Sequence, residues 1–278
     1  MSTFWGSGDT GQRLFDLDNR LLEVLDSLRD YLSSDGSPRL LTRNSYSRPS
    51  FLWNREIMYT CMGTCSAVWL LWQFALKTGR IRLPLIPARY QTIRSKTRLR
   101  EWLVTNFTLK TEDVWLGRLW TMITSSFSHI DLPHLAANMS TFSSFSRYLI
   151  FIGISPKQYA TLILGSALTG SLAATFHYAW MEKRDGTRRS GLGLSAVCMG
   201  LITATAAVSP NGKVSFMGLG PVPMWMTALG YVLFDTYMID SPTSSIGHAA
   251  HVGGAIFGAT YSYMILRGNL PSRGILWI

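Results

Sequence analysis

Six stretches of this chain are mostly apolar: Met58–Leu76, Leu132–Ile152, Tyr159–Trp180, Gly191–Val208, Val214–Phe234 and Ile246–Leu266. Together they hold a single charged residue, Arg147. A helix rises 1.5 Å per residue, so about 20 residues cross a ~30 Å hydrocarbon core. One such stretch could be the buried helix of a soluble domain. Six of them, with every other charge swept into the gaps, predict an all-α membrane protein with six transmembrane helices. The composition fits: 15% of the 278 residues are charged, against about 25% in soluble domains. The 47% of hydrophobic residues excludes a disordered chain. Three cysteines are too few for a disulfide scaffold, and Cys61, Cys65 and Cys198 lack metal-site spacing.

The gaps organise the chain into three parts. Residues 1–57 form a polar N-terminal region. Within it Phe15–Leu32 has leucines at helical period and is expected to be an amphipathic helix. Its acidic residues make it a poor mitochondrial presequence. Ser33–Ser50, rich in Ser, Pro, Asn and Arg, is expected to be a linker, and the chain given can lack part of its N-terminus. Residues 58–267 form the membrane domain, and 268–278 a short tail. The loop at 77–130 is basic and carries Trp102, Trp115 and Trp120, which suits a headgroup zone. Membrane lipid therefore accounts for the net charge of +10 better than nucleic acid does, and no nucleic-acid partner is expected.

Polar side chains within a bilayer are expensive, so each is a functional candidate. Four histidines, His134, His177, His248 and His251, fall inside the apolar stretches. Even-numbered spans all begin on one side of the membrane. His134 and Asn138 lie near the start of the second, Ser195 near the start of the fourth and His251 near the start of the sixth. Three helices thus deliver a Ser, a His and a His/Asn pair to one shallow layer. Gly254 and Gly258 form a small-xxx-small pair that allows close helix approach. Facing the small residues Gly193, Ala196 and Gly200, that pair would set His251 beside Ser195. A serine hydroxyl becomes a competent nucleophile when a base takes its proton. His134, Asn138 and the Ser195 N–H could stabilise an oxyanion. The bland alternatives are packing for Ser195 and an interhelical hydrogen bond for His134 and Asn138. His248, three residues before His251, is expected to pack or hydrogen-bond, and His129 to brace the entry to the second span.

These residues match known motifs. The chain resembles the rhomboid intramembrane serine proteases in Gly193-Leu194-Ser195-Ala196, in His134-Leu-Ala-Ala-Asn138 and in Ala250-His251-Val-Gly-Gly254-Ala-Ile-Phe-Gly258. The order of the three motifs on the second, fourth and sixth spans also matches. Trp120–His129 is similar to the family's run into its second helix, and the surroundings of His248 look most like the mitochondrial, presenilin-associated subgroup. The resemblance covers about Met58–Leu266. It implies a six-helix rhomboid bundle cutting transmembrane protein substrates with a Ser195–His251 dyad. His134 and Asn138 would be oxyanion side chains, and Gly193, Gly254 and Gly258 packing residues at the site. No metal and no other cofactor is implied, and the expected location is a multi-pass one, in the mitochondrial inner membrane. The chain departs from the pattern at Ala196, often Gly, and at Met199, often aromatic. The subgroup's extra helix before the six is not visible in 1–57.

Basic residues concentrate in the first and third inter-span loops. By the positive-inside rule the catalytic face is expected on the cytosolic or matrix side. Span five, interrupted by Pro221 and Pro223, and the loop Asp235–Ser245 are candidates for a movable gate. The alternative function is an inactive rhomboid-like protein that binds transmembrane helices. Intact Ser195 and His251 argue against it. A transporter would want midplane ionisable groups and paired discontinuous helices, which the sequence does not offer.

Overall fold

The computed structural model describes residues 48–76, 87–216, 219–241, 244, 246–267 and 270. The chain divides into two units, Met1–Arg43 and Asn44–Ile278, and every described residue belongs to the second. The expected amphipathic helix at Phe15–Leu32, and most of the tail at 268–278, lie outside the described residues.

Seven helices of 14 residues or more organise the described residues: α1 (Arg48–Leu76), α2 (Ile93–Asn106), α3 (Leu132–Phe151), α4 (Pro156–Asp185), α5 (Ser195–Val208), α6 (Met224–Met238) and α7 (His248–Tyr261). A π-helical turn, Ser262–Leu266, continues α7. Local sequence sets the boundaries. Asp131 caps α3, its carboxylate accepting from the His134 N–H at 2.8 Å, and Pro133 stands in the first turn, where its missing N–H costs nothing. Ser155 and Gln158 form a reciprocal capping box at the start of α4, and Gly186 ends that helix at φ +70°.

Among the described residues, α4 is the helix both long and apolar enough to cross a membrane. α1 begins at Arg48, upstream of its apolar stretch. The fifth apolar stretch needs correction. Val214–Phe234 is not one continuous helix: two strands, Lys213–Phe216 and Leu219–Pro223, pair antiparallel before α6 begins. Pro221 and Pro223 explain this. Proline lacks an N–H and clashes with the preceding turn, so the helix starts only after Pro223, which is its N-cap. α6 also runs past the apolar stretch to Met238, so Asp235 lies within a helix and not in the expected loop Asp235–Ser245.

α5 is the centre of the packing. Ala196 through Thr205 are all buried, and α5 touches α3, α4, α6 and α7. Such all-round burial needs small faces. A Cβ added to Gly254 would overlap the Ala196 carbonyl oxygen, and one on Gly258 would overlap the Gly200 carbonyl oxygen. α5 and α7 therefore meet backbone to backbone, as the spacing of these glycines suggests. The approach is reinforced where Thr203 Oγ1 donates to the Ala255 carbonyl at 2.9 Å.

The expected interfacial loop at 77–130 has its own structure where it is described. α2 packs Leu103 beside Val68, Trp72 and Ala75 of α1. Trp102, Trp115, Leu116, Leu119 and Trp120 remain exposed. Leu109–Lys110 forms a short antiparallel ladder with Ser190–Gly191, Leu109 opposite Gly191. This loop thereby reaches the segment that leads into α5.

Candidate active site

The segment Gly191–Leu194 must turn sharply to place Ser195 at the first position of α5. Gly193 does so at φ +124°, a conformation L-residues with a Cβ rarely adopt. Space imposes the same requirement. A Cβ at Gly193 would sit 2.7 Å from His134 Cε1, 2.9 Å from His134 Nε2 and 3.7 Å from Asn138 Nδ2. The backbone just ahead of Ser195 thus lies against the two polar side chains of α3.

Two further hydrogen bonds fix this turn. The Gly193 N–H donates to the Ser125 carbonyl at 2.9 Å, and the Leu194 N–H donates to His129 Nε2 at 3.3 Å. The same His129 Nε2 lies 3.0 Å from Asn138 Nδ2. With two donors on it, Nε2 carries the lone pair, so the His129 proton sits on Nδ1. His129 is fully buried, and burial, the largest cause, pushes its imidazole down to about 4, with the neighbouring His134 adding to the effect. A neutral ring is the form that can accept from both donors. His129 therefore ties Asn138 to the serine turn, a more specific role than bracing the helix entry.

Ser195, His251, His134, Asn138 and Gly193 all line one cavity of about 510 Å³. Its walls also include Ser171, Ala174, Tyr178 and Ala250. Ser195 and His251 form no hydrogen bond with each other among the described residues, as is common before a substrate tightens a site.

His251 is oriented from behind. Its Nδ1 lies 2.9 Å from Asp235 Oδ1. Asp235 comes from α6, is 1% exposed, and takes a second imidazole on the same oxygen, His248 Nδ1 at 2.6 Å. His248 Nε2 is in turn 2.8 Å from Ser244 Oγ. With Nδ1 donating to a carboxylate, His251 keeps the lone pair on Nε2, the atom a general base needs. The chain is thus Ser244–His248–Asp235–His251, ending at the cavity. The sequence reading places Asp235 in a loop and overlooks it. The available signal is position: it is the acid directly following an apolar stretch.

The remaining candidates fall elsewhere. His177 Nε2 pairs with Asp240 Oδ1 at 3.2 Å on the exposed face of α4. Cys61, Cys65 and Cys198 are buried free thiols.

A family model described as the Rhomboid domain matches residues 116–268. Several mitochondrial proteins are similar to the chain, among them the following three. RHOMBOID-like protein 12, mitochondrial, of Arabidopsis thaliana is 29% identical over 180 residues, covering 61% of this chain and 53% of that protein. Presenilin-associated rhomboid-like protein, mitochondrial, of Bos taurus is 30% identical over 164 residues, covering 56% and 41%. Rhomboid protein 1, mitochondrial, of Saccharomyces cerevisiae is 27% identical over 157 residues, covering 55% and 44%. The chain spans about half the length of these curated relatives or less.

Proposed function

The chain belongs to the rhomboid family, an all-α membrane fold, and from that premise we propose that it is an intramembrane serine endopeptidase. One observation carries the reading: Ser195, His251, His134 and Asn138 converge on one cavity, with His251 held by Asp235 through Nδ1. Under this reading α1, α3, α4, α5, α6 and α7 are the six spans. α5 and α6, of 14 and 15 residues, are each only about 21–23 Å long. Short helices around the site fit a membrane domain that admits water to a hydrolytic centre.

In the reaction, Ser195 Oγ adds to the scissile carbonyl while His251 Nε2 takes the hydroxyl proton. The oxyanion sits by the turn at Gly193, where Asn138 Nδ2, His134 Nε2 and the Ser195 N–H can donate to it. Collapse of the tetrahedral intermediate breaks the C–N bond, and His251 passes its proton to the leaving amine. Water then hydrolyses the acyl-serine, with His251 again as base. Donors already in place need no reorganisation as charge develops, which is why His129 matters: it holds Asn138 and the serine turn in one frame.

The substrates are transmembrane segments of other membrane proteins. A helical segment has its carbonyls hydrogen-bonded within itself, so it must unwind before Ser195 can reach one, and small or helix-breaking residues are expected at the cleavage site. The mitochondrial names of the similar proteins support residence in a mitochondrial membrane, and the inner membrane is the one assigned under this proposal. The basic loops favour a matrix-side catalytic face.

The test is cleavage of a transmembrane substrate by purified protein in liposomes, with fluorophosphonate labelling as a second readout. Ser195→Ala is expected to abolish both, and His251→Ala to lower both by on the order of a thousandfold or more. Cleavage that survives in Ser195→Ala would refute the assignment.

A further inference from the structure

His248 is a buried imidazole for which the proteolytic reaction has no use. It shares a single carboxylate oxygen with His251, the two Nδ1 atoms standing 2.6 and 2.9 Å from Asp235 Oδ1. The other oxygen, Asp235 Oδ2, is buried and has no hydrogen-bond partner among the described residues. One ligand atom from each of these three residues lies within 4.8 Å of the others. Two imidazole nitrogens and a carboxylate form a donor set suited to zinc-like transition metals, whereas Mg²⁺ and Ca²⁺ prefer oxygen ligands throughout.

We propose that Asp235, His248 and His251 form a binding site for an inhibitory divalent transition-metal ion of the Zn²⁺ class. The idea deepens the protease reading and rests on it for the inhibitory effect, though not for the binding. Coordination draws ligand atoms that now lie within 4.8 Å of one another onto a single ion. Zinc–nitrogen and zinc–oxygen bonds of ~2.0–2.1 Å in a tetrahedron set ligand atoms about 3.3 Å apart. Against Oδ1, now 2.6 Å from His248 Nδ1 and 2.9 Å from His251 Nδ1, the nitrogens would retreat by about 0.7 and about 0.4 Å, and the unpartnered Oδ2 is available as the ligand in place of Oδ1. His251 lines the open cavity, and the fourth coordination position is left for water.

Coordination changes the chemistry at the serine. A ligating Nδ1 must present its lone pair to the metal, so the proton now on Nδ1 moves to Nε2 in both rings. Each imidazole stays neutral. At His248 the relocated proton is donated to Ser244 Oγ, the partner already 2.8 Å away. At His251 the relocated proton occupies the atom that would otherwise deprotonate Ser195. The ion therefore inhibits without touching the nucleophile. It is not a cofactor of the reaction.

The experiment uses the full chain in nanodiscs. Co²⁺ is the spectroscopic probe, and the wild type is expected to show the visible absorption of a tetrahedral Co²⁺ site that Zn²⁺ displaces. His248→Ala is expected to weaken Co²⁺ binding by about tenfold or more. Zn²⁺ is expected to suppress fluorophosphonate labelling of Ser195 in the wild type, with reversal by a chelator. In His248→Ala the Zn²⁺ needed for half-suppression, each protein referred to its own metal-free rate, rises in parallel. No tetrahedral band in the wild type, or equal Zn²⁺ sensitivity in the two proteins, overturns the proposal. A tetrahedral band weakened in His248→Ala, in a protein whose Ser195 never labels, would support the metal site while refuting the protease reading.

Discussion

Asp235 Oδ1 accepts the Nδ1 proton of His251 across 2.9 Å, from α6 to α7. A carboxylate in this place does two things to an imidazole: it selects the tautomer with a free Nε2, and it stabilises the imidazolium that forms when the base takes a proton. Asp235→Asn keeps the shape and removes both effects, since the amide N–H can donate to Nδ1 and drive the ring's proton to Nε2. Cleavage is expected to fall by on the order of 10²–10⁴, with the apparent affinity for substrate little changed. Unaltered turnover in Asp235→Asn would leave His251 acting without its aspartate and remove Asp235 from the reaction.

Gly193 is constrained by backbone and by space together. An alanine there must adopt φ +124° and place a methyl group 2.7–2.9 Å from the His134 ring. Strain of this kind is worth about 1–3 kcal/mol, and the turn relieves it by moving away from His134 and Asn138. Gly193→Ala is expected to cut cleavage by tenfold or more while leaving global unfolding nearly unchanged. A variant that cleaves normally would show that the turn tolerates a Cβ and that the close contact with His134 is incidental.

Much of this arrangement is legible in the sequence, because several of its signals are local. Gly254 and Gly258, four residues apart, announce a backbone contact, and the structure places that contact on Ala196 and Gly200. His134 and Asn138, on one helix face, announce a pair that ends beside Gly193. The failures have one physical origin. Apolar windows are ended at charged residues, so an acid just past the apolar run, such as Asp235, is left outside the helix it belongs to. Asp235 sits in α6 because two histidines of α7 satisfy it, and that partnership is sixteen and thirteen residues away in sequence. Hydropathy likewise merges the 213–223 hairpin and α6 into one stretch, since a hairpin of Val, Phe and Leu is as apolar as a helix. Only Pro221 and Pro223 mark the break. The role of the 109–129 loop in holding the serine turn arises from backbone hydrogen bonds, which leave no trace in side-chain pattern.

The α5–α7 contact should govern stability. Gly254→Val would force a branched side chain into the Ala196 carbonyl, and the two helices can relieve the overlap only by separating. Overpacking typically costs about 1–3 kcal/mol, and more is expected here because backbone, not a flexible side chain, is in the way. Thermal unfolding in micelles should shift down by several degrees, and Ser195 labelling should fall with it, since Ala196 adjoins the nucleophile. Gly230→Val makes a suitable control: a Cβ at Gly230 meets nothing within 4 Å. Equal melting of the two variants would show that the α5–α7 approach is not close in the folded protein.

His129 gives the site a pH dependence with a definite sign. Its imidazole is held at about 4 in the folded protein, below the ordinary 6.5, chiefly by burial. The unfolded chain therefore binds this proton more readily than the folded one between those values. Stability contributed by neutral His129 is complete above pH about 6.5, is lost as pH falls from 6.5 to 4, and levels off below that. A gap of about two and a half units corresponds to roughly 3 kcal/mol. Protonation would also place a donor where the Leu194 N–H and the Asn138 amide now donate, loosening the serine turn before the whole fold gives way. His129→Gln keeps an acceptor but does not titrate. Thermal unfolding followed from pH 7 to pH 4 is expected to fall more steeply in the wild type than in His129→Gln, and parallel profiles would show that His129 is not the group that titrates.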